Sequence, residues 1–225
     1  MRAIPGLISR NKGFLTFMLC MVVFRSAIAD WNVVPTGSMQ PTIQIGDRIV
    51  VDKAAYDLRV PLTHISLLHR ADPRRGDIVV LDSAAAGERL VKRVIGIPGD
   101  QVALVQNHLY VNGKPASYRP IAVQGIGDDR EDPASYADES VAGMQHHAVR
   151  WSLAQQGHSN DFGPVAVPAG QYLLLGDNRD NSADSRQFGF FPRGEITGRA
   201  FRVAVSLDPA NHYLPRNGRW GASLQ

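Results

Sequence analysis

The chain has 225 residues, 44% of them hydrophobic, which is enough for one domain with a buried core. Its net charge is +3 without a basic block, which disfavours nucleic acid as a partner and favours anionic membrane lipid. The single cysteine, Cys20, cannot form an intramolecular disulfide and lies in an apolar run. The composition therefore excludes a cysteine protease and a zinc cluster.

Residues 1–30 predict an N-terminal membrane anchor. Basic residues precede the uncharged run GFLTFMLCMVVF at 13–24, and Ile4, Leu7 and Ile8 extend it toward the roughly 20 residues that span a bilayer. The basic flank predicts one transmembrane helix with a cytoplasmic N-terminus and an exported domain over residues 31–225. The alternative is a cleavable signal peptide, because residues 27–29 (Ala-Ile-Ala) form a small-x-small site, although Arg25 beside the apolar run counts against cleavage.

The exported part predicts a mainly β fold. Short apolar runs alternate with glycine, proline and aspartate turns, and Asn112-Gly113 is a strong hairpin signal. The predicted strands cover 47–52, 76–81, 90–97, 102–111, 171–175 and 201–205. The polar region at about 115–165 shows no clear period, and we expect it to be a loop-rich β subdomain inserted into a β-rich catalytic core.

The first segment whose residues are suited to catalysis is PTGSMQPT at 35–42. A serine beside a glycine, between two prolines, stands in a rigid and open backbone, which suits an attacking hydroxyl and its oxyanion hole. The pattern differs from the Gly-x-Ser-x-Gly elbow of α/β-hydrolases, because Thr36 and Gln40 occupy the glycine positions. Taken alone, the segment is also consistent with an ordinary polar loop.

The second segment is LVKRV at 90–94. Strand alternation places Lys92 on the same face as Leu90 and Val94. Removal of a lysine from water lowers its pKa, and a general base near neutral pH needs a fall of about 3 units from roughly 10.4. The alternative is an exposed edge strand in which the amine of Lys92 remains in water.

The third segment is GDNRDNSADSR at 176–186. A calcium loop is a poor fit, because Arg179 stands where an oxygen ligand belongs and Phe188 replaces the terminal glutamate. The segment instead predicts a hydrogen-bonded scaffold in which Ser182 holds a neutral lysine amine. In this interpretation Asp184 and Arg186 pair and stabilise the turn.

These segments, in this order, resemble the conserved boxes of bacterial type I signal peptidases. The resemblance also includes an Arg-Ser pair after the apolar run, at 25–26. Further matching stretches are IGD at 45–47, KAAY at 53–56, RGDIVV at 75–80, KRVIGIPGD at 92–100, VPAGQY at 167–172 and GF at 189–190.

The resemblance implies a serine endopeptidase with a Ser/Lys dyad. Ser38 would be the nucleophile, Lys92 the general base, and Ser182 the residue that orients Lys92. The Ser38 N–H and the Thr36 hydroxyl would form the oxyanion hole, with Thr36 standing where many members carry serine. The family needs no metal or organic cofactor, and its fold is a β-rich core with an inserted β subdomain.

The implied function is removal of signal peptides from exported preproteins, at small-x-small sites, by a protein of the bacterial cytoplasmic membrane. The catalytic domain would lie on the outer face, behind a single-pass anchor. Arg25 falls where the retained anchor of the family ends, which favours retention over cleavage. The chain departs from some members in having one apolar segment rather than two, and its middle region matches no known segment.

Several alternatives remain open at this point. A relative dedicated to conjugation or to processing of a pilus subunit uses the same chemistry. A non-catalytic, membrane-tethered β module and a self-cleaving repressor are less consistent with the motifs and the anchor. His146-His147 could indicate a metal, but we expect a surface loop there, and none of the seven histidines lies in a motif that indicates a Ser-His-Asp triad.

Overall fold

The structure, a computed structural model, describes residues 11–63, 65–122, 133–141, 143–155 and 161–224. These residues are mainly β, as predicted, with 46% of them in strands and 14% in helices. The helices are α1 (Lys12–Ala27) and α2 (Ser185–Phe188), with 3₁₀ turns at Leu153–Gln155, Arg193–Glu195 and Pro209–Asn211.

The strands are numbered along the chain as β1 (Ala29–Val33), β2 (Asp47–Asp52), β3 (Asp57–Arg59), β4 (Ser66–His69), β5 (Ile78–Ser83), β6 (Glu88–Gly96), β7 (Gln101–Val105), β8 (His108–Val111), β9 (Lys114–Pro115), β10 (Ser117–Pro120), β11 (Ala134–Ser140), β12 (His147–Ser152), β13 (Phe162–Ala166), β14 (Gln171–Leu175), β15 (Phe191–Pro192), β16 (Ile196–Asp208) and β17 (Leu214–Pro215).

The main sheet of the described residues has the order β1-β2-β16-β5-β6-β14-β15, with β17 paired to β16. Its strands pair antiparallel throughout. Strand β5 shows why the sheet holds together: Ile78 and Val80 pack into one apolar cluster, while Val79 and Leu81 pack into another. Since successive side chains point to opposite faces, a continuous apolar run is expected where both faces of a strand are covered.

Three smaller sheets accompany the main one in the described residues, with the orders β13-β7-β8-β9, β10-β11-β12 and β3-β4. Asn112 and Gly113 both have positive φ angles and join β8 to β9, so the predicted hairpin turn is confirmed. The predicted strand over 102–111 is wrong in one respect, because a turn at Gln106 and Asn107 divides it into β7 and β8. Both turn residues lie in the left-handed region, a conformation that a glutamine at position 106 does not predict.

The predicted insertion at about 115–165 contains β10, β11, β12 and β13. β10, β11 and β12 form their own sheet, whereas β13 pairs with β7 outside the predicted boundaries. The acidic stretch that motivated a loop-rich interpretation, DDRED at 128–132, lies outside the described residues. The insertion itself stays a prediction.

The predicted transmembrane helix is not seen. Among the described residues no helix combines the length and the apolar character that crossing a bilayer requires, and α1 has 16 residues. Ile4, Leu7 and Ile8, which the prediction included, lie outside the described residues.

The C-terminal end of α1 is held against the main sheet. The Arg25 guanidinium donates to Asp30 Oδ1 at 2.7 Å and lies 4.1 Å from the centroid of the Trp31 ring. The Lys53 amine donates to the Arg25 carbonyl at 3.1 Å, which satisfies a carbonyl in the last turn of the helix. The side chain of Ala27 is buried at the same junction.

Candidate active site

Ser38 lies in the loop between β1 and β2, next to the main sheet. The base of this loop is closed by a backbone hydrogen bond from Val34 N–H to the Asp47 carbonyl, at 2.9 Å. Beyond Ser38, the side chains of Met39 and Ile43 are buried in an apolar cluster with β2 and β5. The loop is therefore anchored on both sides of Ser38, whose side chain remains half-buried.

Lys92 lies on β6 and meets Ser38 across 54 residues of chain: its Nζ is hydrogen-bonded to Ser38 Oγ at 2.8 Å. β6 runs between β5 and β14 in the interior of the sheet, and Lys92 is 3% exposed. The alternative of an exposed edge strand is therefore wrong. Burial lowers the pKa of Lys92 to about 8, against smaller opposing effects of Asp184 and Glu88.

The next residue, Arg93, points to the opposite face and forms a buried ion pair with Asp177. Arg93 Nε and a terminal guanidinium nitrogen donate to the two Asp177 oxygens, each at 2.8 Å. Thr42 Oγ1 donates to the same carboxylate at 2.5 Å, which ties the loop that carries Ser38 to this pair. Burial is the largest single influence and favours the neutral acid, but the charge and hydrogen bonds of Arg93, with the Thr42 hydrogen bond among the smaller effects, together hold the pKa of Asp177 below its ordinary value.

The 176–186 segment is braced by Asp184 and Arg186, which form the predicted ion pair. Arg186 donates to both Asp184 oxygens, at 2.9 and 2.8 Å, and Gly176 N–H donates to Asp184 Oδ2 at 2.9 Å. Although burial opposes ionisation, Arg186 holds the pKa of Asp184 below its ordinary value. The pair therefore links both ends of this segment.

Gly176 explains how closely the segment approaches Ser38. A Cβ at this position would lie 2.3 Å from Ser182 Oγ and 2.5 Å from the carbonyl oxygen of Ser38. The absence of a side chain lets the Ser182 hydroxyl and the Ser38 backbone share this space. Sequence reasoning recognised the glycine as part of a motif but assigned it no role.

Two predicted site residues make weaker contacts. The Ser182 hydroxyl is buried and makes no hydrogen bond to Lys92. It lies near Asp184 and favours the ionised form of that carboxylate, although the two groups are outside hydrogen-bond geometry. Thr36 is exposed, two residues before Ser38. No hydrogen bond joins the Thr36 hydroxyl to another described residue.

Comparison with known proteins places the chain in a family. The family model described as "Signal peptidase, peptidase S26" matches residues 8–205, which include every site residue named above. The chain belongs to the signal peptidase family, peptidase S26. It is accordingly a peptidase, a class of hydrolase.

The similar proteins agree with this assignment. Signal peptidase I of Pseudomonas aeruginosa is 33% identical, over 96% of this chain and 79% of that protein. The probable signal peptidase I-2 of Synechocystis sp. is 35% identical, over 89% of this chain and 77% of that protein. A solved signal peptidase I from Enterococcus faecalis V583 is 28% identical, covers 57% of this chain and 97% of that chain, and has a TM-score of 0.34; the assignment rests on the sequence matches.

The histidine pair of this signal peptidase family member is divided between surface and interior. His146 is exposed, as predicted, but His147 is 3% exposed, so the surface loop was wrong for that residue. His147 Nε2 lies 3.2 Å from Glu139 Oε1, and Arg179 donates to the same oxygen at 2.6 Å. These groups come from β11, β12 and the 176–186 segment, and sequence spacing could not place them together. No three histidine, cysteine or acidic side chains of the described residues are arranged to hold a metal ion.

Proposed function

We propose that this signal peptidase family member is a serine endopeptidase that removes N-terminal signal peptides from exported preproteins, with Ser38 as nucleophile and Lys92 as general base. Support comes from the family match and from relatives named signal peptidase I. The observation that carries the assignment of residues is the 2.8 Å hydrogen bond between Lys92 Nζ and Ser38 Oγ. A buried amine adjacent to a loop hydroxyl is the arrangement that nucleophilic catalysis needs.

The proposed reaction proceeds through an acyl-enzyme. Neutral Lys92 takes the hydroxyl proton as Ser38 Oγ attacks the scissile carbonyl carbon. The tetrahedral intermediate collapses with cleavage of the C–N bond, and the Lys92 ammonium gives its proton to the leaving amine. Lys92 then takes a proton from water as the water oxygen attacks the ester carbon. The second tetrahedral intermediate collapses with cleavage of the C–O bond to Ser38, and the Lys92 ammonium returns its proton to Ser38 Oγ. The product acid loses its own proton to solvent.

The oxyanion that develops in each step would be held by the Ser38 N–H and the Thr36 hydroxyl. The Ser38 N–H donates to no other described residue, which leaves this donor open toward substrate. Thr36 lies in the exposed part of the same loop. Ser182 would accept one of the three N–H donors of the Lys92 ammonium, since its buried hydroxyl is not otherwise hydrogen-bonded.

We propose small residues at the first and third positions before the cut. This preference follows from family membership, and shallow apolar subsites would exclude large side chains by overpacking. Preproteins with Ala or with Phe immediately before the cut provide the comparison. Equal cleavage of the two would contradict the small-x-small preference.

We also propose that residues 1–30 stay on the chain as a single-pass anchor in the bacterial cytoplasmic membrane, with the catalytic domain on the outer face. Phe14, Phe17 and Leu19 of α1 are each more than 60% exposed, which leaves apolar surface for lipid. The bond after Ala29 lies within β1, where Ala29 and Asp30 pair with β2. A paired strand is a poor site for processing in the folded protein, which supports retention over a cleaved leader.

The decisive experiment incubates the full-length protein, purified in detergent, with a preprotein and maps any cut by mass spectrometry. We expect one cut after a small-x-small site, and its loss in Ser38→Ala. Ser206→Ala, a buried serine on β16, is the matched control and should retain the activity. Cutting that survives Ser38→Ala would contradict the proposed nucleophile.

A further inference from the structure

Besides the backbone bond that its carbonyl accepts from Asn181 N–H at 3.2 Å, Asn178 makes three polar contacts, two of them with the backbone around Ser38. Its backbone N–H donates to the Ser38 carbonyl at 3.1 Å, and its side-chain Nδ2 donates to the Gly37 carbonyl at 3.0 Å. The third contact is with Arg150, whose guanidinium donates to Asn178 Oδ1 at 3.3 Å. Asn178 is fully buried, so these bonds are shielded from competing water.

The backbone that carries Asn178 is itself registered against β12. Arg150 N–H donates to the Asp177 carbonyl, and Arg179 N–H donates to the Arg150 carbonyl, each at 2.9 Å. Asn178 thus lies in a parallel bridge with Arg150. The buried ion pair between Arg179 and Glu139 of β11 holds the next residue in place. The three-stranded sheet therefore fixes the position from which Asn178 reaches the serine loop.

The contact with Gly37 helps to set the direction of a catalytic group, together with Gln40 N–H, which donates to the same carbonyl at 3.1 Å. In a trans peptide the C=O and the N–H of one planar unit point in opposite directions. The Gly37 carbonyl and the Ser38 N–H belong to the same unit. A carbonyl held by Asn178 Nδ2 therefore directs the Ser38 N–H the opposite way, and this N–H has no acceptor among the described residues.

We propose that Asn178 is a positioning residue that holds the Gly37–Ser38 peptide so that the Ser38 N–H faces the oxyanion. This role presupposes Ser38 as the nucleophile. It gives β12 a function in the site, because the strand supplies the Arg150 contacts on both sides of Asn178. Removal of a donor that touches an oxyanion costs about 100- to 1,000-fold in kcat, so loss of its support should cost less, about 10- to 100-fold.

Asn178→Asp separates positioning from general structural support. The aspartate keeps the shape and gains a charge-assisted bond with Arg150, but it loses the donor to Gly37 and sets an oxygen against that carbonyl. A structural role predicts that kcat follows Tm, so that Asn178→Asp is better than Asn178→Ala. Positioning predicts that both variants lose kcat, although the Tm of Asn178→Asp is at least that of Asn178→Ala.

The experiment measures kcat, KM, the pH midpoint of kcat/KM and Tm on the full chain with a preprotein in detergent. We expect kcat to fall about 10- to 100-fold in both Asn178 variants, with KM within about twofold of wild type. The pH midpoint of Asn178→Ala should remain that of wild type, because the Lys92 environment is unchanged. Asn181→Ala, an exposed asparagine of the same segment, should behave as wild type.

Two results would overturn the role of Asn178 alone: an undiminished kcat in Asn178→Ala, or a kcat in Asn178→Asp that is restored along with Tm. Should Asn178→Ala fail to fold, Asn178→Asp against wild type makes the same test. A wild-type protein that cuts no preprotein, or whose cutting survives Ser38→Ala, would overturn both this role and the proposed function.

Discussion

At the scale of single residues, the buried amine of Lys92 links stability to the proposed chemistry. Its neighbours on the same face of the sheet include Leu90 and Val94, and Val79 pairs with it directly on β5. These aliphatic groups remove water from the amine, which penalises the ammonium form. The same burial that is unfavourable for an ordinary lysine makes this one available as a base.

The pH dependence of cleavage tests Lys92. Its pKa is lowered to about 8, so the neutral base is the minor form below that pH and the major form above it. We expect kcat/KM to rise about tenfold per pH unit below pH 8 and to level off above it.

Lys92→Arg keeps the charge but cannot deprotonate, so it should be as inactive as Lys92→Ala while circular dichroism shows a folded protein. Near-wild-type turnover by Lys92→Arg would show that another residue is the general base.

Gly176 is a second residue-scale test, because its substitution places a methyl group against backbone. In Gly176→Ala the Cβ meets the Ser38 carbonyl oxygen, which cannot move without displacing the serine loop. We expect a loss of about 1–3 kcal/mol in the free energy of unfolding, by overpacking, and at least about a tenfold loss of kcat. Urea unfolding and steady-state cleavage measure the two effects. Gly194→Ala, whose added Cβ would meet no atom within 4 Å, is the control, and equal behaviour of the two would contradict the clash.

At the scale of elements, the Arg93–Asp177 pair joins β6 to the segment after β14. Both side chains are 1% exposed, and Thr42 brings the serine loop to the same carboxylate. One buried pair therefore connects three pieces of chain that meet at the proposed site. Because burial of charge is costly, such a pair contributes mainly when both partners are present.

Removal of one partner should expose this dependence. Arg93→Met leaves the Asp177 charge buried without its partner, and we expect a loss of about 3–5 kcal/mol in the free energy of unfolding at pH 7. Arg93→Met with Asp177→Asn should lose less than the sum of the single variants. The surface pair Arg119–Asp138 is the control, since Arg119→Met should cost less than about 1 kcal/mol. Urea titration that gives equal losses for Arg93→Met and Arg119→Met would contradict this account.

The same pair predicts the response to acid. The folded-state pKa of Asp177 is lowered, so its stabilising contribution is present above the unfolded pKa of about 4 and is lost as the pH falls.

At the scale of the whole molecule, the described residues combine β-sheets with an apolar helix, α1, whose contacts with the main sheet lie at its C-terminal end. Along α1 the large apolar side chains are exposed, whereas Arg25, Ala27 and Asp30 connect its C-terminus to the domain. The helix direction is thereby fixed relative to the sheet that carries the proposed dyad. An anchor with a fixed exit from the domain would hold the site at a constant distance from the lipid surface.

Membrane attachment should therefore depend on the apolar surface of α1. The full chain should float with vesicles that contain anionic lipid, and the triple variant Phe14→Arg, Phe17→Arg, Leu19→Arg should remain in the soluble fraction. Each charge placed in apolar lipid costs about 2.5–3.5 kcal/mol. Val105→Arg, which alters an exposed apolar residue of β7, is the matched control. Flotation of the triple variant with wild-type efficiency would assign membrane binding to another surface.

What the sequence alone determined was local. Turn residues predicted the Asn112-Gly113 hairpin, and strand alternation placed Lys92 on the face of Leu90 and Val94. Both results depend on a few consecutive residues, whose backbone preferences and side-chain directions follow from their own covalent geometry. The motif order was specific enough to indicate the family that the comparisons later showed.

The burial of the site residues and the identity of their partners depend on the tertiary structure. Alternation shows which way Lys92 points, but the burial that lowers its pKa requires β5 and β14 on either side of β6. Arg93 and Asp177 are 84 residues apart, and Asn178 and Gly37 are 141 apart, so no local pattern predicts either contact. His147 was wrongly placed at the surface for the same reason, since its cover comes from other strands. Burial is a property of the neighbours that folding brings together, and a residue's own segment carries little information about them.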